Sequence, residues 1–185
     1  MRIIGGTFKG RRLYPPANFK ARPTTDLARE GLFNILNYHA HIPGARVLDL
    51  FCGTGAVSLE FISRGADSVV AIDIETGSKN FITATAIQWG IDNLRVVRAD
   101  VFKLLTKANE AFDIVFADPP YADPRFNTFP DKVLQSGWVK PDGLFILEHS
   151  DQYSYLQHPA FYMHRSYGGV NFSIFKASAH EGDLN

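Results

Sequence analysis

Residues 46–55 read Arg46-Val47-Leu48-Asp49-Leu50-Phe51-Cys52-Gly53-Thr54-Gly55, and this stretch decides the fold. The first six residues are a short apolar run with a single acid, which predicts a buried strand over 46–51. The glycines then allow positive φ and a close backbone approach to a ligand. Residues 56–64 carry helical spacing, so the layout is strand, glycine turn, helix. The next acid at a strand end is Asp73, after Ser68-Val69-Val70-Ala71-Ile72 and followed by Ile74. It falls about 20 residues past the glycines, the spacing of an acceptor for ribose hydroxyls. A dinucleotide loop would continue with a third glycine or alanine, where this chain has Ser58, and no phosphate-binding G-x-x-x-x-G-K-[ST] loop occurs anywhere. Asp49 inside the motif would repel a pyrophosphate. It suits a ligand with a positive end, such as the ammonium or sulfonium of S-adenosylmethionine.

A second motif closes another apolar run. Phe112-Asp113-Ile114-Val115-Phe116-Ala117 leads into Asp118-Pro119-Pro120-Tyr121. The prolines cannot extend a ladder, having no N–H to donate, so they fix the backbone at the strand's carboxyl end. In an open α/β sheet, ligands bind there. A fixed carboxylate, rigid carbonyls and an aromatic face suit a planar base that carries an exocyclic amine.

Together, residues 46–121 resemble a class I S-adenosylmethionine-dependent methyltransferase of the exocyclic-amine type. The N-terminal segment narrows this. Arg2-Ile3-Ile4-Gly5-Gly6, Lys9-Gly10-Arg11-Arg12-Leu13, Arg22-Pro23-Thr24-Thr25 and Glu30-Gly31-Leu32-Phe33-Asn34-Ile35-Leu36 resemble the RsmD family. The resemblance runs from about residue 1 to 177. It implies methylation of the N2 amine of a guanine in bacterial 16S (small-subunit) ribosomal RNA, with the RNA or the small-subunit ribonucleoprotein particle as partner. The Asp-Pro-Pro-Tyr motif is shared with adenine-N6 methyltransferases, so that activity on DNA or RNA is the alternative. A catalytically silent nucleic-acid-binding module is a second one.

The expected roles follow. Asp49, Phe51, Gly53 and Gly55 shape the pocket for the methionine end of the cofactor. Asp73, with Ile74, takes the ribose. Asp100 ends the 94–99 strand and meets the adenine amine, with Val101 or Phe102 against the ring. Asp118, Pro119 and Tyr121 are catalytic. Arg11, Arg12, Arg22, Thr24 and Pro120 bind the RNA substrate.

Outside the motifs, the composition is that of an ordinary globular chain, 45% apolar and 21% charged. No apolar run approaches membrane-spanning length, and no signal-peptide core follows Arg2. Cys52 is the only cysteine, which excludes a disulfide framework and fits a cytoplasmic setting. His39 and His41 lack a third ligand at a workable spacing, so no metal is expected. A monomer is expected. Net charge is zero, but residues 1–30 hold seven basic side chains against two acids, which leaves the rest at −5. A basic arm on a mildly acidic body places phosphate contacts in the arm.

The organisation expected is a hairpin over 2–14, a basic linker over 15–24 and a helix over 26–40 capped by Thr25 or Asp26. Leu32, Ile35, Leu36 and His39 make its docking stripe. These form an extension over 1–44. A methyltransferase domain spans 45–177 and a flexible tail 178–185. Within the domain, strands over 46–51, 68–73, 94–99, 112–118 and 143–149 alternate with helices over 55–64, 75–89, 101–107, 124–136 and a short one near 151–157. Strands over 161–167 and 170–177, joined by Gly168-Gly169, form a C-terminal hairpin. The fold class is therefore α/β, Rossmann-like, with a mostly parallel seven-stranded sheet and an antiparallel edge. Trp89 and Trp138 are expected in the core. Phe126 and Phe129 either line the base pocket or pack beneath the loop.

Overall fold

The computed structural model describes residues 1–16, 19, 25–105 and 108–177. The apolar runs form one seven-stranded sheet in the order β3-β2-β1-β4-β5-β7-β6. Its strands are β1 (Arg46–Leu50), β2 (Ser68–Asp73), β3 (Leu94–Arg98), β4 (Phe112–Ala117), β5 (Val139–His149), β6 (Phe161–Tyr167) and β7 (Val170–Lys176). The first five run parallel, and β7 and β6 add an antiparallel edge. The glycine-linked hairpin is thus where the sequence places it.

The helices are α1 (Asp26–His39), α2 (Ala56–Ser63), α3 (Thr76–Trp89), α4 (Val101–Leu104) and α5 (Phe129–Gln135). Alternation along the strands divides two cores. Val47, Ile114, Phe116 and Ile146 face α1 and α2, through Leu32, Phe33, Leu36, Val57 and Phe61. Leu48, Val115, Ala117, Phe145 and Leu147 face α5 and the Phe126–Phe129 segment.

Thr25 caps α1, its hydroxyl accepting from the Ala28 N–H at 3.2 Å. Leu32, Ile35 and Leu36 dock as the spacing requires, but His39 stays exposed at the helix end and hydrogen-bonds the Tyr162 hydroxyl at 3.2 Å.

Several expected elements come out differently. The N-terminal hairpin is present but short: the antiparallel Arg2–Arg12 bridge is flanked by bonds from the Ile3 N–H to the Arg11 carbonyl at 2.9 Å and from the Leu13 N–H to the Met1 carbonyl at 3.0 Å, and the arm also bonds to α2. The 124–136 helix breaks into a 3-10 turn (Pro124–Thr128) and α5, since Pro130 at the start of α5 has no N–H for a continuous helix. β5 begins at Val139, four residues early, with a register shift opposite Phe112 and Ile114 and positive φ at Asp142. No helix forms over 151–157. That segment is a chain of turns in which Tyr153 and Tyr155, two apart, both pack inward, a spacing no helix provides. The 15–24 linker, apart from 15, 16 and 19, and the 178–185 tail lie outside the described residues, as do the last two positions of the 101–107 helix.

The basic arm is clamped to the body. Glu60 of α2 is fully buried and accepts from the Ile4 and Gly5 N–H groups, both at 2.8 Å, and from Arg64 Nε at 2.9 Å. Arg29 of α1, also fully buried, sits 4.0 Å from the same carboxylate and donates to Asp26 and the Arg2 carbonyl. At Gly6, φ is +75°, and a Cβ would lie 1.7 Å from the Ser63 carbonyl oxygen. Only glycine permits the arm to lie this close to the end of α2. Ile3 and Leu13 then pack on Ala56 and Leu59, at the start of α2.

Candidate active site

The carboxyl ends of β3, β2, β1 and β4 lie side by side, and chain order reverses between β1 and β4. A crevice opens where such a reversal occurs. Every expected cofactor and catalytic residue is at this end. Leu50 pairs with both Ile72 and Ala117, so Phe51, Asp73 and Asp118 emerge from neighbouring strands.

The turn after β1 is tightly wound. Phe51 takes φ +63°, Gly53 +50° and Gly55 +73°. A Cβ on Gly55 would meet the Ile82 side chain at 2.6 Å. The Gly53 N–H is drawn back to Asp73 Oδ2 at 2.8 Å, while Asp73 Oδ1 accepts from the Glu75 N–H at 2.8 Å. Asp73 therefore ties the glycine turn to the end of β2. Its oxygens keep lone pairs beyond these two bonds. Ile74 beside it is exposed. Asp100 caps α4 through the Phe102 N–H at 3.0 Å, and Val101 is buried under it. Phe51, Phe102 and Phe129 pack mutually, with centroids 5.3–5.6 Å apart.

Asp49 is fully buried. One carboxylate oxygen accepts a short hydrogen bond from Ser58, and the other, Oδ1, has no hydrogen-bond partner among the described residues. Burial pushes its pKa up to about 7. The Ser58 bond opposes that rise, and the nearby Asp118 and Asp73 add to it. Asp118 is raised to about 7 as well, first by burial, against a lowering hydrogen bond from Tyr121. Tyr121 donates to Asp118 Oδ1 at 3.3 Å.

An orphaned buried acid oxygen beside a glycine turn fits a ligand with a cationic end. The sign of the pH effect follows. A carboxyl whose folded pKa lies above its unfolded value, near 4, binds its proton more tightly in the native state. Native stability therefore falls as pH rises from about 4 to 7. The cofactor-free protein should melt lower at pH 8 than at pH 5, Asp49 contributing on the order of 2 kcal/mol. A cationic ligand favours the ionised form, so stabilisation by S-adenosylmethionine should grow over the same window. Thermal shift with and without ligand checks both. A ligand increment independent of pH would contradict them.

Tyr121 meets Phe126 edge-on at 5.6 Å, and the Tyr153 hydroxyl donates to the Tyr121 carbonyl at 3.0 Å. Phe126 and Phe129 are fully buried, which settles them as packing beneath the loop. Trp138 is buried against Phe112. Trp89 packs on Phe8, and Arg11 lies over both rings, 4.8 Å from Phe8 and 5.3 Å from Trp89. Arg12 is exposed; Arg22 and Thr24 lie outside the described residues. Pro119 is buried and Pro120 exposed. Ser58, Glu60 and Glu148 carry no role that the sequence alone predicts. Only Glu148 bears a readable signal, as an acid closing the apolar run of β5.

A concavity of about 600 Å³ lies at the opposite, amino-terminal end of the strands. Its lysines are already paired, Lys140 with Asp113 and Lys176 with Asp142, and none of the residues expected to bind cofactor or substrate lines it.

The comparisons with known proteins bear on family and fold. The family described as "Conserved hypothetical protein 95" matches residues 1–176. The chain belongs to this family of S-adenosylmethionine-dependent methyltransferases. It is 34% identical over 149 residues to the ribosomal RNA small subunit methyltransferase D of Buchnera aphidicola subsp. Baizongia pistaciae, covering 80% of this chain and 75% of the relative. The Escherichia coli K12 protein of that name is 33% identical over 148 residues, 80% of this chain and 74% of the relative. The solved structure of the putative methyltransferase yhhF from Escherichia coli superposes with a TM-score of 0.85 at 28% identity, over 97% of this chain and 98% of that one. Family and architecture coincide, so the class I methyltransferase fold expected from the two motifs is the fold of this chain. No helix among the described residues is long and apolar enough to cross a membrane.

Proposed function

We propose that this enzyme transfers a methyl group to the exocyclic N2 amine of a guanine in small-subunit ribosomal RNA. The observation that carries the reading is the Asp118-Pro119-Pro120-Tyr121 corner standing one strand from Asp49. The family match adds the RNA, because relatives at 33–34% identity are small-subunit RNA methyltransferases by name.

S-adenosylmethionine supplies the methyl on an electrophilic sulfonium. Asp49 and the Gly53–Gly55 turn hold its methionine end, Asp73 and Ile74 its ribose, and Asp100 and Val101 its adenine. An amine on a purine is a poor nucleophile because its lone pair is delocalised into the ring. Asp118 and the Pro119 carbonyl accept hydrogen bonds from the two N–H groups of the amine and draw the nitrogen toward sp³. So held, the lone pair would be free to face the methyl of a bound cofactor. Catalysis here is positioning plus stabilisation of a developing ammonium. Asp118 must be ionised to accept, so the rate should rise through pH 7. Tyr121 and Pro120 receive the base, which leaves its helical stack.

Asp73→Ala should weaken cofactor binding by roughly 1–3 kcal/mol, the range for hydrogen bonds to a charged group. The broken tie to Gly53 adds to the effect. Calorimetry showing no loss would move the ribose elsewhere.

Residues 1–44 form the RNA-contacting extension in this reading. Arg11, held over Phe8 and Trp89, is a pre-positioned phosphate ligand. Neutralising Arg11, Arg12 and Arg22 together should flatten the salt dependence of RNA binding, by about 0.7–0.9 in log–log slope for each phosphate that is no longer neutralised. Cofactor affinity should be unchanged. A triple variant with the wild-type salt slope would make the arm a solvated extension.

The test of the function is transfer of tritiated methyl to small-subunit RNA, naked or as assembled particle, against large-subunit RNA and DNA. Label confined to the small-subunit material supports the reading. Label confined to DNA overturns it in favour of adenine-N6 methylation, and no ligand stabilisation with S-adenosylmethionine would leave a silent binding module.

A further inference from the structure

Asp118 is not the only carboxylate at this corner. β4 and β5 run parallel with Ala117 beside Leu147, so the next residues, Asp118 and Glu148, leave their strands side by side. Phe116 and Ile146 face one core, and Ala117 and Leu147 the other. By strand alternation, Asp118 and Glu148 then project to the same face as Phe116 and Ile146. Glu148 is 4% exposed. The Tyr121 hydroxyl hydrogen-bonds Asp118 at 3.3 Å, and Glu148 is the second carboxylate close enough to act on it; burial, with the two acids adding to it, pushes the phenol pKa up. One phenol thus stands beside two adjacent carboxylates.

Two neighbouring carboxylates match a base edge that carries two neighbouring donors. Guanine has such an edge, with N1–H next to the N2 amine. Adenine does not. Its amine is flanked by N1 with a lone pair and no hydrogen, and that lone pair would face a carboxylate. Leaving a buried acceptor unpaired costs far more than a mismatched methyl group does.

We propose that Glu148 accepts the N1–H of the target guanine while Asp118 engages its N2 amine, so that the pair selects guanine over adenine. The Tyr121 hydroxyl occupies this corner in the base-free site, bonded to Asp118 and beside Glu148, and yields when the base enters. This deepens the functional reading above and rests on it. It also supplies the purine choice that Asp-Pro-Pro-Tyr alone leaves open.

The test uses small-subunit RNA built by ligation with either guanine or 2-aminopurine at the methylated position, naked or in particles, whichever accepts methyl. 2-Aminopurine keeps the 2-amino group and lacks the N1 hydrogen. Wild type should favour guanine by about a hundredfold or more in kcat/KM. Glu148→Gln, whose amide can donate to an unprotonated N1, should bring the two substrates to within about threefold, with cofactor affinity unchanged. A purely structural Glu148 would lower both substrates together and leave the ratio intact, which overturns the inference. Equal use of the two bases by wild type also overturns it and needs no variant, so the inference survives as testable even if Glu148→Gln fails to fold. If neither RNA accepts a methyl at all, the functional reading itself has failed.

Discussion

Asp118→Ala is expected to reduce methyl transfer by about a thousandfold or more, some 4 kcal/mol of transition-state stabilisation. Cofactor affinity should stay within about threefold of wild type. The asymmetry follows from position. Asp118 follows β4 and bonds Tyr121 at the corner proposed to receive the base, whereas Asp49 and Asp73 stand on β1 and β2 and Asp100 caps α4 after β3. Asp118 also raises the Asp49 pKa by repulsion, so its removal should ease ionisation of Asp49 and shift cofactor binding slightly toward tighter at neutral pH. Single-turnover kinetics with calorimetry on the same sample separates the two effects. Normal turnover, or a loss that appears entirely in cofactor binding, would remove Asp118 from its role.

Glu60→Ala is expected to destabilise the fold by about 3–5 kcal/mol, the cost of breaking a buried ion pair by removing one partner. Arg29 would be left buried with only the partly exposed Asp26 as a carboxylate partner, and its Nε and Nη1 already lack hydrogen-bond partners among the described residues. The Ile4 and Gly5 N–H groups would be deprived of their acceptor as well. Because those bonds hold the arm on α2, RNA affinity should fall further than cofactor affinity in the protein that remains folded. Denaturant unfolding measures the first effect and titration with RNA the second. A change in stability below about 1 kcal/mol would mean that Glu60 is not the clamp.

Most of the site is readable in the sequence because acids closing apolar strands stand out against packing chemistry. Asp49, Asp73, Asp100 and Asp118 interrupt or end apolar runs, and the parallel sheet aligns those ends. The same signal is present in Gly143-Leu144-Phe145-Ile146-Leu147-Glu148, yet no short motif follows it to suggest a role. Ser58 has no sequence signal at all: its bond to Asp49 spans nine residues and depends on how the glycine turn folds α2 back over β1. The clamp on the arm is equally hidden. Glu60 reads as an exposed helix position until the arm covers it, and only the 1.7 Å clearance at Gly6 shows how close that cover is. Where local pattern fails, long-range packing decides. The arm adds bonds to α2 beyond those of its own short hairpin, and the 151–157 segment turns two tyrosines inward rather than coiling.

The most direct measurement is the identity of the methylated nucleoside. Small-subunit RNA methylated by the enzyme, digested to nucleosides and separated by chromatography with mass detection, should yield N2-methylguanosine. N6-methyladenosine in its place, or methyl on no purine amine, would contradict the account.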